Sequence, residues 1–268
     1  MKIKTFLKGI IWPILFGIGQ FIIFFILSAT LMTSKQIELQ NQKKYTNDEI
    51  VNGVNKYASS KEFSKDIINH TKNNVHIVII CNLLFLLPIF ILKYKKISKK
   101  ENIIDKNNLI YLSLLSILLA ISFNLIINIG NKNIEKQAIL IIISTSIIGP
   151  LLEELVFRGI FFSTLKKSFS LKNSMLISVI IFTLFHGISQ NILYVFMMGY
   201  LFVYCYHQSK NVLVPIIMHI SSNLAVSLIF PYMNLIKLPF KVVIILLFMI
   251  FVYIILRKLN IKPLKKVI

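Results

Sequence analysis

The sequence predicts an all-α fold, a polytopic membrane helix bundle of about eight transmembrane helices with a central polar cavity. Three observations carry that prediction. Of 268 residues, 56% are hydrophobic, and most of these lie in long runs of the length a helix needs to cross a bilayer, about 20 residues. The lysines collect in segments between the runs. Three of the runs contain strongly polar residues well inside them, which is costly in lipid unless those groups meet one another or water. A net charge of +20 raises the possibility of nucleic acid. The placement of the lysines argues against it, because they stand where a membrane protein meets anionic headgroups and water, so the bilayer is the partner.

Taken in order, Met1 to Lys8 carries three lysines before an uncharged run from Gly9 to Ser34. That run is longer than the roughly 7–15 residues of a secretory signal core, so it reads as a retained first span. Residues 35–74 are polar, with seven lysines and five acids, and are expected to hold a short surface helix around Asn47 to Ile68. His70 and His76, at its end, read as solvated or interfacial. The second span is Val75 to Leu92, followed by a strongly basic loop from Lys93 to Lys106, and the third is Leu109 to Gly130. The fourth, Ala138 to Leu165, bears acids; Lys166, Lys167 and Lys172 mark the loop after it. The fifth, sixth, seventh and eighth are Asn173 to Ser189, Ile192 to Tyr206, Val212 to Phe230 and Phe240 to Leu256, with a basic tail beyond. Cys81 and Cys205 lie in apolar runs and read as unbridged core residues; His207 reads as interfacial.

This order divides the chain into N-terminal membrane helices with a polar extracytoplasmic segment (1–137), a core (138–230), and a last span with its tail (231–268). Eight spans put both termini on one side. The side holding the termini, the 93–108 and 166–172 loops and Lys210 carries eighteen lysines and arginines against eleven on the other, which orients both termini toward the cytoplasm by the positive-inside tendency. No zinc-finger spacing, glycine-rich phosphate loop or internal repeat is present.

The stretch Ser146 to Gly159 reads S-I-I-G-P-L-L-E-E-L-V-F-R-G and places Glu153, Glu154 and Arg158 at lipid depth. Each such charge costs about 2.5–3.5 kcal/mol near the bilayer centre on insertion scales. Glu154 and Arg158 are four apart, acid first, the better order for a pair on one helical face. A chain that otherwise uses lysine here places one of its two arginines, consistent with a need for a planar, permanently charged fork. Glu153 faces elsewhere, without a counter-ion on its own helix and beside a like charge, a setting that suits a carboxylate to act as a base. Pro150 cannot donate to Ser146, and Gly149 adjoins it, so the helix should be kinked or opened one turn before the acids.

Two further clusters accompany the acids. The fifth span reads I-I-F-T-L-F-H-G, with Phe182 one turn before His186; the seventh reads V-P-I-I-M-H-I-S-S-N-L, with His219 and Asn223 four apart. Each alone fits a satisfied buried group or an interhelical hydrogen bond. Together they fit one water-filled cavity, with Glu153 as a base for water, His186 and His219 orienting that water or holding a metal, and Asn223 donating to the oxyanion of a cleaved amide. Counted from the loop ends, His186 lies deeper than His219, which requires the fifth helix to tilt or enter late.

E-E-x-x-x-R (Glu153, Glu154, Arg158), F-x-x-x-H (Phe182, His186) and H-x-x-x-N (His219, Asn223), in this order on successive apolar segments, resemble the CPBP or Abi family, which contains type II CAAX prenyl endopeptidases and bacterial proteins of bacteriocin processing or self-immunity. The resemblance covers about residues 138–230. It implies an intramembrane endopeptidase acting on a peptide precursor or membrane protein, with Glu153, His186, His219 and Asn223 catalytic and Glu154 and Arg158 in support. Zinc stays open as a cofactor: Glu153, His186 and His219 could ligate it, but H-E-x-x-H is absent and a ligating Glu153 would leave the base role unfilled or shared. Two other functions compete, a bacteriocin-immunity or scaffold protein of the same fold that only binds, and a transporter or proton pathway, against which the absence of paired repeats argues.

Overall fold

A computed structural model describes residues 2–42, 44–74, 77–78, 80–84, 106–127, 139–187 and 191–259. Most of the second span, the 93–105 loop, His76, the 128–138 connection and the 260–268 tail lie outside these. Among the described residues there is no strand, and the helical membrane bundle stands. The helices are α1 (Lys2–Asn41), α2 (Asn47–Ala58), α3 (Lys61–Asn73), α4 (Lys106–Ile127), α5 (Ile139–Leu165), α6 (Leu171–Phe185), α7 (Ile192–Ser209), α8 (Leu213–Ile229) and α9 (Leu238–Lys258). Four of them, α1, α4, α5 and α9, are long and apolar enough to cross a membrane. Helices α6 and α8, with 15 and 17 residues, are apolar but shorter than a full span.

The chain falls into two compact units, one of Met1–Pro13 with Phe90–Ile268 and one of Ile14–Ile89. In the second, the single surface helix expected at 47–68 is two helices. Thr46 caps α2 in a reciprocal capping box with Glu49, and Ser60 accepts from the Phe63 amide to start α3, so the polar pair Ser59–Ser60 breaks the run. Ile23, Leu27 and Ile67 form the buried cluster of this unit, and the Tyr57 hydroxyl donates to Asp66 at 2.8 Å. His70 is placed against the Thr30 hydroxyl, 3.0 Å away.

The first unit is built around α8. Ala120, Met198, Phe202, Cys205, Val214 and Met218 form one buried cluster from α4, α7 and α8, and Phe162, Met175, Val179 and Val203 join α5, α6 and α7. Small hydroxyl residues are buried among the helices, as expected where lipid is as apolar as the side chains and helices associate by close approach. Ser116, Ser174 and Ser222 are fully buried, and the Ser116 hydroxyl donates across to the Met218 carbonyl at 2.9 Å. Helix α9 instead exposes Phe240, Val243, Leu246, Ile250 and Phe251, an apolar surface suited to acyl chains. Cys81 and Cys205 are both free thiols.

Candidate functional site

Helix α5 is not uniformly α-helical. Ser144–Ile148 is π-helical, Gly149–Glu154 returns to α, and Leu155–Phe162 is π-helical again. The opening expected before the acids is therefore present, and its cause is local: Pro150 has no N–H to give, and the Gly149 amide reaches back to Ser144. Wider turns leave backbone carbonyls to be satisfied from outside. The Thr145 carbonyl accepts from Asn223 Nδ2 at 3.2 Å, the Arg158 carbonyl from the Ser163 hydroxyl at 3.2 Å, and the Phe157 carbonyl from the Ser178 hydroxyl at 3.5 Å. Ser146, also in the first π segment, shares a 2.9 Å hydrogen bond with Ser227 of α8.

The two adjacent carboxylates have different partners. Glu154, fully buried, meets Arg158 Nη1 at 3.0 Å and His219 Nδ1 at 2.9 Å. Arg158 is itself buried; its Nη2 donates to the Gly199 carbonyl at 3.1 Å, and its guanidinium lies 4.1 Å from the centre of the Phe182 ring. The expected i, i+4 pair is present and carries three additional contacts from other helices, from His219, Gly199 and Phe182.

Glu153, with 19% of its side chain exposed, faces His186 Nε2 at 3.5 Å. The partner missing from its own helix thus comes from the residue that caps α6. His186 is the C-cap residue of that helix, and Gly187 follows at φ +76, a left-handed position that a residue with a Cβ adopts at a cost. The helix ends there instead of continuing to Ser189, so His186 stands at a helix terminus, and the depth mismatch anticipated from a longer fifth span does not arise on this account. His186 Nδ1 is 2.9 Å from the Phe182 carbonyl. A carbonyl can only accept, so Nδ1 carries the proton. In the neutral ring Nε2 is then an acceptor directed at a carboxylate, which is also an acceptor. The approach is satisfied by one proton held between them, or by a water that donates to both.

His219 follows the same logic with a different outcome. Its Nδ1–H donates to Glu154 Oε1, and its ring packs on Phe202 at 4.8 Å between centroids, which orients the ring and leaves Nε2 for other chemistry. The site residues therefore form two groups, Glu153 with His186 and Glu154 with Arg158 and His219, joined through Phe182, whose ring centroid is 4.4 Å from that of His186 and 6.3 Å from that of His219. Asn223, on α8, stands apart from both groups and donates to the first π segment. Among the described residues no group of three His, Cys, Asp or Glu side chains is gathered as a metal site. The bond from His219 Nδ1 to Glu154 holds that ring as a metal-ligating histidine is usually held, with Nε2 free, so zinc on Glu153, His186 and His219 would need those three side chains drawn closer together than they stand.

Some participants escaped sequence reasoning. Ser227 lies four residues after Asn223 and continues the 219, 223 spacing by one more turn, a signal that was readable. Gly199 and Phe202 carry no such signal, since only packing brings them against Arg158 and His219. His207, read as interfacial, accepts from Lys166 Nζ at 3.2 Å.

Residues 135–225 match the family model described as Rce1-like, type II CAAX prenyl endopeptidase Rce1-like. The chain is also 35% identical over 106 residues to the protein named "Putative membrane peptidase YdiL" of Bacillus subtilis (strain 168), over 37% of this chain and 43% of that protein. The chain thus aligns with less than half the length of that curated relative. No solved structure matches. Over the matched segment the chain is similar to type II CAAX prenyl endopeptidases, and the resemblance drawn from the three motifs holds.

Proposed function

We propose that the chain is an intramembrane endopeptidase of a bacterial cell membrane, both termini cytoplasmic, that hydrolyses a peptide bond of a peptide precursor or membrane protein. The observation that carries this reading is the division of the two neighbouring carboxylates: Glu154 is sealed and paired with Arg158 and His219, while Glu153 keeps 19% of its side chain exposed and turns Oε2, buried and without a hydrogen-bond partner among the described residues, toward His186. A structural role would favour sealing both.

In the proposed reaction, a water between Glu153 and His186 gives a proton to the Glu153 carboxylate as its oxygen adds to the peptide carbonyl carbon. The oxyanion that forms is met by the second N–H of Asn223 and by His219, which supplies a donor at Nε2 when protonated. The C–N bond then breaks as the proton on Glu153 passes to the leaving nitrogen, giving a carboxylic acid and an amine. Residues 138–230 would form the catalytic core. No step requires a metal, and zinc, left open by the sequence, is an arm of the test.

The test is cleavage of candidate peptide precursors and membrane proteins by the purified protein in lipid vesicles, with wild type, Glu153→Gln and added chelator. Cleavage abolished by Glu153→Gln, with melting behaviour retained, supports the reading. Chelator sensitivity reversed by zinc would replace metal-free water activation with a metal mechanism. A Glu153→Gln variant that still protects cells from a bacteriocin, with no peptide cut by wild type, would sink the enzyme and leave a binding protein.

A further inference from the structure

We infer that Gly199 is a positioning residue for the proposed reaction: its missing side chain seats the Phe182 ring, and that seat sets His186 against Glu153. The inference rests on the roles proposed above for Glu153 and His186.

A Cβ built at Gly199 would lie 3.0 Å from Phe182 Cδ1, 3.4 Å from Cε1 and 3.5 Å from Val179 Cγ1. The first of these is tighter than nearly all carbon contacts to a Cβ, so a methyl group there obliges the ring to give by a few tenths of an ångström. The ring has little freedom to yield. Arg158 covers it at 4.1 Å, Phe157 meets it edge-on at 5.2 Å between centroids, and it is buried to 2% exposure.

Two connections make this seat matter beyond packing. The Phe182 backbone carbonyl accepts the His186 Nδ1 proton at 2.9 Å, and the two rings touch, so movement of Phe182 alters both the tautomer lock and the ring angle of His186. The Gly199 carbonyl in turn accepts from Arg158 Nη2 at 3.1 Å, so α7 backbone at this one residue holds the guanidinium that neutralises Glu154. Close approach of α7 thus serves both halves of the site, and glycine allows it without shifting the Phe182 ring.

The experiment compares wild type, G199A and the double variant G199A/F182L, whose smaller side chain makes room for the added methyl. Protein labelled with 15N-histidine in detergent micelles reports which ring nitrogen of His186 carries the proton, the resonance being assigned by its loss in H186Q. Turnover is read on a quenched fluorescent peptide pool. G199A is expected to shift the His186 ring-nitrogen signals and lower turnover about tenfold, since sub-ångström misplacement of reacting groups is costly, with G199A/F182L restoring both. Unchanged His186 signals in folded G199A overturn the inference, as does a double variant that folds without restoring them. If G199A fails to fold, the double variant decides in the same two ways. Absence of turnover in wild type defeats the proposed function, while the nitrogen signals still judge Gly199.

Discussion

A single oxygen of Glu154, Oε1, lies 3.0 Å from Arg158 Nη1 and 2.9 Å from His219 Nδ1. One acceptor thus binds a permanent cation from its own helix and an imidazole from α8. Removing the cation strands a buried carboxylate, and losing one partner of a buried pair costs about 3–5 kcal/mol. Arg158→Ala should therefore melt well below wild type. Arg158→Lys should recover only part of the loss, because a lysine ammonium lacks the planar fork that meets Glu154 and the Gly199 carbonyl together. Thermal unfolding in detergent checks both, and full recovery in the lysine variant would contradict the geometry.

Thr183 supplies a prediction of opposite sign. Several helical threonines return their hydroxyl to their own backbone: Thr33 to Ala29, Thr71 to Ile67 and Thr164 to Ile160, at 2.9, 2.7 and 2.8 Å. Among the described residues the buried Thr183 hydroxyl has no partner, and an unsatisfied buried donor costs about 1–3 kcal/mol. Thr183→Val keeps the shape and removes that cost, so it should raise the melting temperature. A lower melting temperature would show that the hydroxyl is bonded. If cleavage falls while stability rises, the hydroxyl serves the reaction.

Asn223 should separate chemistry from folding. Loss of one oxyanion donor lowers turnover by about 10²–10³, so Asn223→Ala is expected to lose activity on that scale while leaving substrate binding close to wild type. Ser227→Ala, one turn further on, removes the tie to Ser146 and should cost only about 0.6–1.7 kcal/mol, the range of interhelical hydrogen bonds in membranes. Kinetics and melting of the two variants side by side would expose a reversal of these roles.

A pH effect is expected in the polar segment. Burial and the hydrogen bond to Asp66 push the Tyr57 phenol up from its ordinary 10.0 to about 12. The neutral phenol is the form the fold favours, so its contribution is fully present below pH 10 and is lost as pH rises from there through about 12. Alkaline unfolding of wild type should steepen in that window relative to Tyr57→Phe, followed by circular dichroism; coincident curves would contradict the assignment.

Much of the site was legible because intramembrane charge is expensive enough to stand out. Glu153, Glu154, Arg158, His186, His219 and Asn223 are polar residues within or at the ends of apolar helices, and i, i+4 spacing predicts the Glu154–Arg158 pair directly. The break at Gly149–Pro150 is a property of proline and could be read one residue at a time. Partner choice between helices was not legible. His186 turned toward Glu153 and His219 toward Glu154, although nothing in the spacing of either histidine distinguishes the two acids.

What the sequence determined by itself was therefore composition-driven and local: a helical membrane bundle, the helix carrying the acids, its opening, and the identity of the polar residues, because desolvation cost and backbone chemistry act wherever the chain runs. What only the tertiary structure decided was the division of those residues into an accessible Glu153–His186 pair and a sealed Glu154–Arg158–His219 group, together with the place of Gly199. These depend on how closely α6, α7 and α8 approach α5, and that distance is set by side chains meeting across helices.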